Sequence, residues 1–136
     1  MDINYKDLAL PVSQRFTAAL TEELANVSVS TSAITLNFRD PNYSAETGGF
    51  HPVEVRLERR GDAFDIIYIT DFAYIGIGPF AELVRELDFD FQSGVFQNLH
   101  GVFPIETGYD IYQNWEGNFL HYWRELSVFQ VSISDE

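Results

Sequence analysis

The sequence predicts an α+β fold in which about three helices pack on a mainly antiparallel sheet, formed by a central meander and a C-terminal strand. Three observations predict this class. Segments with the two-residue periodicity of half-buried strands cluster in the middle of the chain. Segments with helical periodicity flank this cluster rather than alternating with single strands, which is typical of an antiparallel sheet. The chain has 136 residues, 46% of them hydrophobic, which suits one domain over residues 1–136.

The N-terminal part of the chain predicts a helix over residues 10–27. Phe16, Leu20 and Leu24 recur at helical spacing and form one apolar face. Pro11 fits the first turn, where the backbone N–H that proline lacks would have no helical partner.

The central meander is predicted from strands at about 33–38, 53–59 and 64–71. Apolar and polar residues alternate in the first two segments, which indicates one buried and one exposed face. The third segment is apolar on both faces and is therefore expected inside the sheet. Gly61 and Asp62 provide the residues of a tight hairpin turn between the second and third strands.

The rest of the chain predicts two further helices and a last strand. A second helix is expected from Pro79 to Leu87, because apolar residues recur there three and four positions apart. Residues 89–105 are interrupted by glycine and proline and are expected to form a loop or short irregular strands. An aromatic helix is expected over residues 106–126, followed by a strand over residues 127–133.

The aromatic helix is also a candidate for function. Its spacing places Trp115, Phe119 and Trp123 near one face, so we expect all three rings to be mostly buried. A ring that is not packed in the core would line a pocket or mark a protein interface, and Trp115 is the candidate.

Composition excludes several classes of function. The net charge of −13 repels phosphate backbones, so no direct nucleic-acid binding is expected, and a basic partner is favoured. The absence of cysteine excludes disulfides, thiolate metal sites and cysteine nucleophiles. No apolar run is long enough to span a membrane, and the N-terminus is not typical of a signal peptide, so the expected location is the cytoplasm.

A long connection over residues 40–52 separates the first two strands of the meander. It exceeds the two to five residues of a plain hairpin, and long loops on a rigid sheet often hold function. We expect it to fold back on the sheet with its tip exposed, tied by an ion pair from Arg39 to Asp40 or Glu46. The same residues could also serve only to hold the corner. The candidate binding residues are Arg39, Asp40, Tyr43, Glu46, Phe50, His51 and Trp115.

The sequence predicts no metal site, no cofactor and no catalytic residues. The three histidines, His51, His100 and His121, lack the spacing of metal ligands, although His121 and Glu125 lie one helical turn apart. His51 could act as a general acid or base, but a turn residue bonded to the backbone is the simpler interpretation. Enzymatic activity is therefore uncertain, and binding without catalysis is favoured.

Two blocks, "FRDPNYSAETGGFHPVE" at residues 38–54 and "NWEGNFLHYW" at residues 114–123, resemble an uncharacterised family of small bacterial proteins, domain of unknown function family 2787. The family is associated with marine gamma-proteobacteria and mobile elements. Because it has no assigned activity, the resemblance implies no catalytic residues. It does imply an accessory gene product rather than a housekeeping enzyme.

The preferred hypothesis is a non-enzymatic acidic binding or accessory protein carried on mobile DNA, with an unknown protein partner or small ligand. One alternative is a small-ligand-binding domain or enzyme with a pocket between the sheet and the aromatic helix. Another is an acidic mimic that occupies a nucleic-acid-binding protein. A flat apolar face would indicate a homo-oligomer. A deep pocket reached by His51 or His100 would favour the first alternative.

Overall fold

The computed structural model describes residues 2–135, which form an eight-stranded sheet and two helices. The strands are β1 Asp2–Asn4, β2 Ala33–Arg39, β3 Val53–Arg60, β4 Ala63–Ile75, β5 Glu82–Asp90, β6 Val95–Asn98, β7 Gly101–Pro104 and β8 Gln130–Asp135. The helices are α1 Gln14–Glu23 and α2 Tyr109–Leu120, and a π-helical turn, His121–Glu125, extends α2. Short 3-10 turns occupy Gly78–Phe80 and Ile105–Gly108. Within residues 2–135, neither helix has the length and apolar character needed to cross a membrane.

The sheet has the strand order β7-β6-β5-β4-β3-β2-β8, with every neighbouring pair antiparallel. β1 adds a short parallel pairing to the first residues of β4. The predicted meander is confirmed: β3 and β4 pair through a hairpin that closes at Arg60 and Ala63. Gly61 in its turn has a φ of 64°, a conformation that glycine adopts at little cost. The C-terminal strand is also confirmed, and it pairs with β2.

The helix predicted to begin at Pro79 is wrong, so the described chain contains two helices rather than about three. Pro79 lies in a 3-10 turn, and the chain then forms β5 as the antiparallel partner of β4. Gly76 and Gly78 have φ values of 105° and 60°, which reverse the chain direction after β4. The apolar positions between Leu83 and Leu87 fit both helical and strand periods. Pairing with the long neighbouring strand decides between them.

The aromatic helix packs against the sheet, and the predicted burial of its three rings is confirmed. Trp115, Phe119 and Trp123 are 8%, 2% and 6% exposed. The Phe38 ring of β2 lies 5.1 Å from Phe119 and 4.7 Å from Trp123, centroid to centroid, in edge-to-face contacts. Phe16 of α1 contacts Trp115 and Phe119 in the same cluster. Large rings bury much apolar area each, so this cluster fixes the position of α2 on the sheet.

The two helices are also joined through a buried carboxylate. Glu116 Oε2 accepts a hydrogen bond of 3.1 Å from the backbone N–H of Ser13 and one of 2.7 Å from the Tyr112 hydroxyl. Ser13 caps α1, because its side chain accepts from the Phe16 N–H at 3.0 Å. The start of α1 is therefore tied to the middle of α2.

Candidate functional site

The loop between β2 and β3 is tied by Asp40, which is buried. Asp40 Oδ1 accepts from the Asn42 N–H at 2.9 Å, and Oδ2 accepts from the Phe50 N–H at 3.0 Å. One carboxylate thus joins the first and last parts of the loop. Within residues 2–135, no ion pair joins Arg39 to Asp40 or Glu46, so the expected tie through the Arg39 guanidinium is wrong. Backbone donors reach Asp40 without the entropy cost of fixing a long side chain.

The middle of the loop packs on β4 and leaves its tip exposed. The Tyr43 hydroxyl accepts a hydrogen bond of 2.9 Å from the backbone N–H of Tyr74, and the two rings lie 5.3 Å apart. Ser44 and Gly48 pair through two backbone hydrogen bonds, which close the tip. Glu46 lies within this closed turn and is exposed. The loop is therefore held against the sheet at Tyr43, while Glu46 faces solvent.

The last part of the loop forms one wall of a cavity of about 660 Å³ between the sheet and α2. The Phe50 and Tyr122 rings meet at 4.7 Å, and Trp115 stacks on Phe119 at 4.9 Å with the ring planes 10° apart. The polar residues of the lining are His51, Asp71, Glu86, Asp110, Asn114 and Asn118. An aromatic cavity of this size with a few converging polar groups is typical of small-molecule sites.

Three side chains from different segments converge in this cavity. His51 precedes β3, Asp71 lies in β4, and Glu86 lies in β5, so the β3–β4–β5 pairing brings them together. His51 Nδ1 lies 2.9 Å from Asp71 Oδ1 and 2.8 Å from Glu86 Oε2. The three donor atoms all lie within 4.8 Å of one another. One imidazole and two carboxylates are ligand types that divalent metal ions accept.

The protonation of His51 follows from these neighbours. The hydrogen bond to Asp71 raises the pKa of His51, and the negative charges of Asp71 and Glu86 raise it further, against the opposing effect of burial. Because ionised carboxylates only accept hydrogen bonds, Nδ1 is the nitrogen that carries the proton. That single N–H donates to Asp71. Glu86 Oε2 forms an ion pair with the same nitrogen at 2.8 Å, and this contact also raises the pKa of His51.

Trp115 fixes the other oxygen of Asp71. Its indole Nε1–H donates to Asp71 Oδ2 at 2.9 Å, and both side chains are buried. The two oxygens of Asp71 are therefore engaged on opposite sides, by Trp115 and by His51. This arrangement sets the orientation of Asp71 Oδ1 toward His51 and Glu86.

The structure thus brings together three of the seven residues predicted from the sequence, Phe50, His51 and Trp115. Asp40 and Tyr43 hold the loop, and Arg39 and Glu46 are exposed away from the cavity lining. His100 is exposed, and His121 pairs with Glu125 on the surface.

Sequence reasoning missed Asp71 and Glu86. Asp71 is the only charged residue in the apolar segment "IIYITDFAYI", and this isolation was a signal that could have identified it. Burial of an unpaired carboxylate costs free energy, so a buried acid in such a segment is expected to have a partner. Glu86 falls within the predicted helix from Pro79 to Leu87, which the structure replaces with β5, so the sequence does not predict its place in the site.

A second depression, of about 1390 Å³, lies between β1, the start of α1 and the β3–β4 turn. Its lining is more polar and includes charged side chains that already pair with neighbours. Asp65, for example, accepts from Asn4 at 2.9 Å and contacts Arg60 at 3.5 Å. The aromatic cavity is therefore the better candidate site.

Comparison with known proteins places this architecture in a family. Residues 14–134 match the model of a protein of unknown function, DUF2787. The hypothetical protein VC0508 from the Vibrio cholerae VSP-II pathogenicity island is 33% identical, with a TM-score of 0.89 over 99% of this chain and 100% of that chain. The conserved hypothetical protein VC1805 from V. cholerae pathogenicity island VPI-2 is 42% identical. Its TM-score is 0.84 over 97% of this chain and 99% of that chain, and it is described as sharing structural homology with the human P32 protein.

Among curated proteins, none matches the chain. The family expected from the two sequence blocks is nevertheless confirmed. The chain belongs to the DUF2787 family of proteins of unknown function.

Proposed function

We propose that this protein is a non-enzymatic binding protein that takes a small organic ligand, with a flat apolar body and a polar end, into the cavity between α2 and the sheet. The observation that carries the proposal is the meeting of aromatic walls and the His51–Asp71–Glu86 cluster in one cavity of about 660 Å³. Ligand sites of roughly 300–1,000 Å³ commonly combine apolar walls with a few fixed polar groups.

The aromatic walls favour a planar ligand body. Phe50 and Tyr122 are partly exposed and form the contact pair that a ligand can reach, while the nearly buried Trp115 and Phe119 rings complete the lining. A ring placed against Phe50 and Tyr122 gains apolar burial, at about 25 cal/mol per Å² removed from water, and offset or edge contacts with these rings.

The polar side chains of the lining would orient the ligand. Asn114 and Asn118 are exposed residues of α2 that line the cavity, and each amide can both donate and accept hydrogen bonds. His51 and the two carboxylates beside it present a fixed polar group at another part of the lining. A ligand with one polar end is therefore favoured over a purely apolar one.

The same proposal includes an accessory role for a gene carried on mobile DNA. Two similar proteins are described as products of V. cholerae pathogenicity islands, which supports this context for the present chain. The net charge of −13 argues against a direct nucleic-acid ligand, because phosphate backbones would be repelled.

Ligand-observed NMR with three indole probes tests the binding proposal. Tryptophol, tryptamine and indole-3-acetate share one flat body and carry a neutral, a cationic and an anionic end. We expect saturation transfer from the protein to at least one of them. Asn118→Trp should abolish the transfer, because a bulky ring would then occupy the cavity.

Gln113→Trp is the matched control, since Gln113 is exposed on the same helix but does not line the cavity. It should leave the saturation transfer unchanged. Equal transfer in the two variants, or no transfer to any probe in the parent protein, would contradict the proposal.

A further inference from the structure

We propose that His51 Nδ1, Asp71 Oδ1 and Glu86 Oε2 together bind one divalent transition-metal ion, such as Zn²⁺ or Mn²⁺, in the wall of the aromatic cavity. The inference deepens the proposed function and rests on it for the role of the organic ligand, which would complete the coordination of the ion. Binding of the metal alone requires only the three side chains.

The spacing of the three donor atoms suits a small divalent ion. Metal–ligand distances of 2.0–2.2 Å place two ligands at right angles about 3 Å apart. His51 Nδ1 lies 2.9 Å from Asp71 Oδ1 and 2.8 Å from Glu86 Oε2. Small side-chain movements would therefore bring all three atoms around one ion.

The count of protons and charges in the cluster also favours a cation. One Nδ1–H faces two carboxylate oxygens, 2.9 Å away on Asp71 and 2.8 Å away on Glu86, so two negative groups share a single proton. A single N–H cannot point directly at both oxygens, so at most one hydrogen bond of good geometry forms in the cluster. A divalent ion in place of the proton would engage both oxygens and balance the two negative charges.

The surroundings of the cluster already provide the outer support that metal ligands need. The Trp115 Nε1–H holds Asp71 Oδ2 at 2.9 Å, which leaves Oδ1 directed at the cluster. The Tyr43 ring packs against the His51 ring, with the ring centroids 5.6 Å apart. Such outer contacts orient ligands and strengthen metal binding.

The donor set indicates the kind of ion and the kind of ligand. One nitrogen and two oxygen donors, with no thiolate, suit Zn²⁺ or Mn²⁺ better than soft ions such as Cu⁺. Three protein ligands leave coordination positions open, as in sites where the ion also binds a small molecule. A ligand that uses these positions would carry an anionic oxygen group, such as a carboxylate.

Isothermal titration calorimetry of chelator-treated protein with ZnCl₂ tests the proposal without any organic ligand. We expect one bound ion per chain. We also expect a measured enthalpy that differs between buffers of different ionisation enthalpy, because Zn²⁺ displaces the proton of His51 Nδ1. Water-proton relaxation with MnCl₂ provides a second measurement of the same site.

Variants locate the bound ion. His51→Ala and Glu86→Gln should each weaken binding by more than about 100-fold, since loss of an outer contact alone can cost 10–100-fold. Glu86→Gln keeps the size of a side chain that is 35% exposed and is expected to fold, which circular dichroism would verify. His121→Ala is the matched control, because His121 also pairs with a glutamate but lies on the surface.

The His121→Ala control should bind Zn²⁺ like the parent protein. Failure of the parent to bind one equivalent, or equal binding by Glu86→Gln, would overturn the metal site. Binding measurements with the indole probes distinguish a failure of metal binding from a failure of ligand binding in the cavity. A correct metal site should shift the preference from tryptamine to indole-3-acetate when Zn²⁺ is added, whereas probe binding without Zn²⁺ binding would leave only the pocket.

Discussion

We expect the hydrogen bond between Trp115 and Asp71 to contribute measurably to the stability of the fold. Trp115→Phe keeps an aromatic ring beside Phe119 but removes the indole Nε1–H. Asp71 Oδ2 then loses a 2.9 Å hydrogen bond at a position where the residue is 8% exposed. Hydrogen bonds to charged groups contribute about 1.5–3 kcal/mol to the free energy of unfolding, so a loss in that range is expected beyond the smaller ring.

Trp123→Phe is the matched comparison that isolates this hydrogen bond. Trp123 is buried to a similar degree in the same aromatic cluster, and among residues 2–135 its indole N–H has no hydrogen-bond acceptor. Trp123→Phe therefore loses a similar ring area without loss of a hydrogen bond, and it keeps an aromatic face for the Arg124 guanidinium, which lies 5.4 Å from the Trp123 ring centroid. Trp115→Ala removes the whole ring as well and should cost about 3–5 kcal/mol.

Thermal unfolding followed by circular dichroism gives the comparison directly. For a chain of 136 residues, 1 kcal/mol corresponds to roughly 3.5 °C in Tm. Trp115→Phe should therefore melt about 5–10 °C below Trp123→Phe. Melting temperatures within about 2 °C of each other would refute the structural role assigned to the Trp115–Asp71 hydrogen bond.

Two further predictions concern the loop and its histidine. The raised pKa of His51 means that its protonated form stabilises the metal-free fold. This contribution should be fully present below its ordinary pKa near 6.5 and lost as the pH rises through the raised pKa. Urea unfolding across this range should show the loss in the parent and not in His51→Ala, and parallel pH profiles would contradict it. Gly49→Ala should destabilise more than Gly48→Ala in the same assay. A Cβ at Gly49 would lie 2.8 Å from Asp40 Oδ2, whereas Gly48 has open space and only the strain of a positive φ, about 1–2 kcal/mol. Equal losses of stability in the two variants would contradict the close approach of a Cβ at Gly49 to Asp40 Oδ2.

The sequence predicted the fold correctly where the hydrophobic periodicity and the turn residues indicated the same elements. Alternation in β2 and β3 and the Gly61 turn predict the meander, and helical spacing predicts the buried face of α2. The apolar residues of 79–87 fit two periods at once. The choice between helix and strand there depends on a neighbouring strand with unpaired backbone groups, which a local pattern does not contain.

The candidate site was predictable only in part for a related reason. His51 was identified from an unusual loop, but its partners Asp71 and Glu86 lie 20 and 35 positions further along the chain. Their meeting depends on the register of β3, β4 and β5, including a bulge after Asp71. Because the local pattern predicts a helix from Pro79 to Leu87, no sequence argument brings Glu86 to His51.

The central claim is that the aromatic cavity binds a planar ligand, and the two tryptophans offer a direct test. A ¹H–¹⁵N spectrum contains one indole N–H signal from each of Trp115 and Trp123, and Trp115→Phe assigns them by removing one. Of these two rings, Trp115 lines the cavity and Trp123 does not. Titration with the indole probe of strongest saturation transfer should shift the Trp115 signal in a saturable manner and leave the Trp123 signal in place. A Trp115 signal that stays unchanged at saturating probe would contradict the claim.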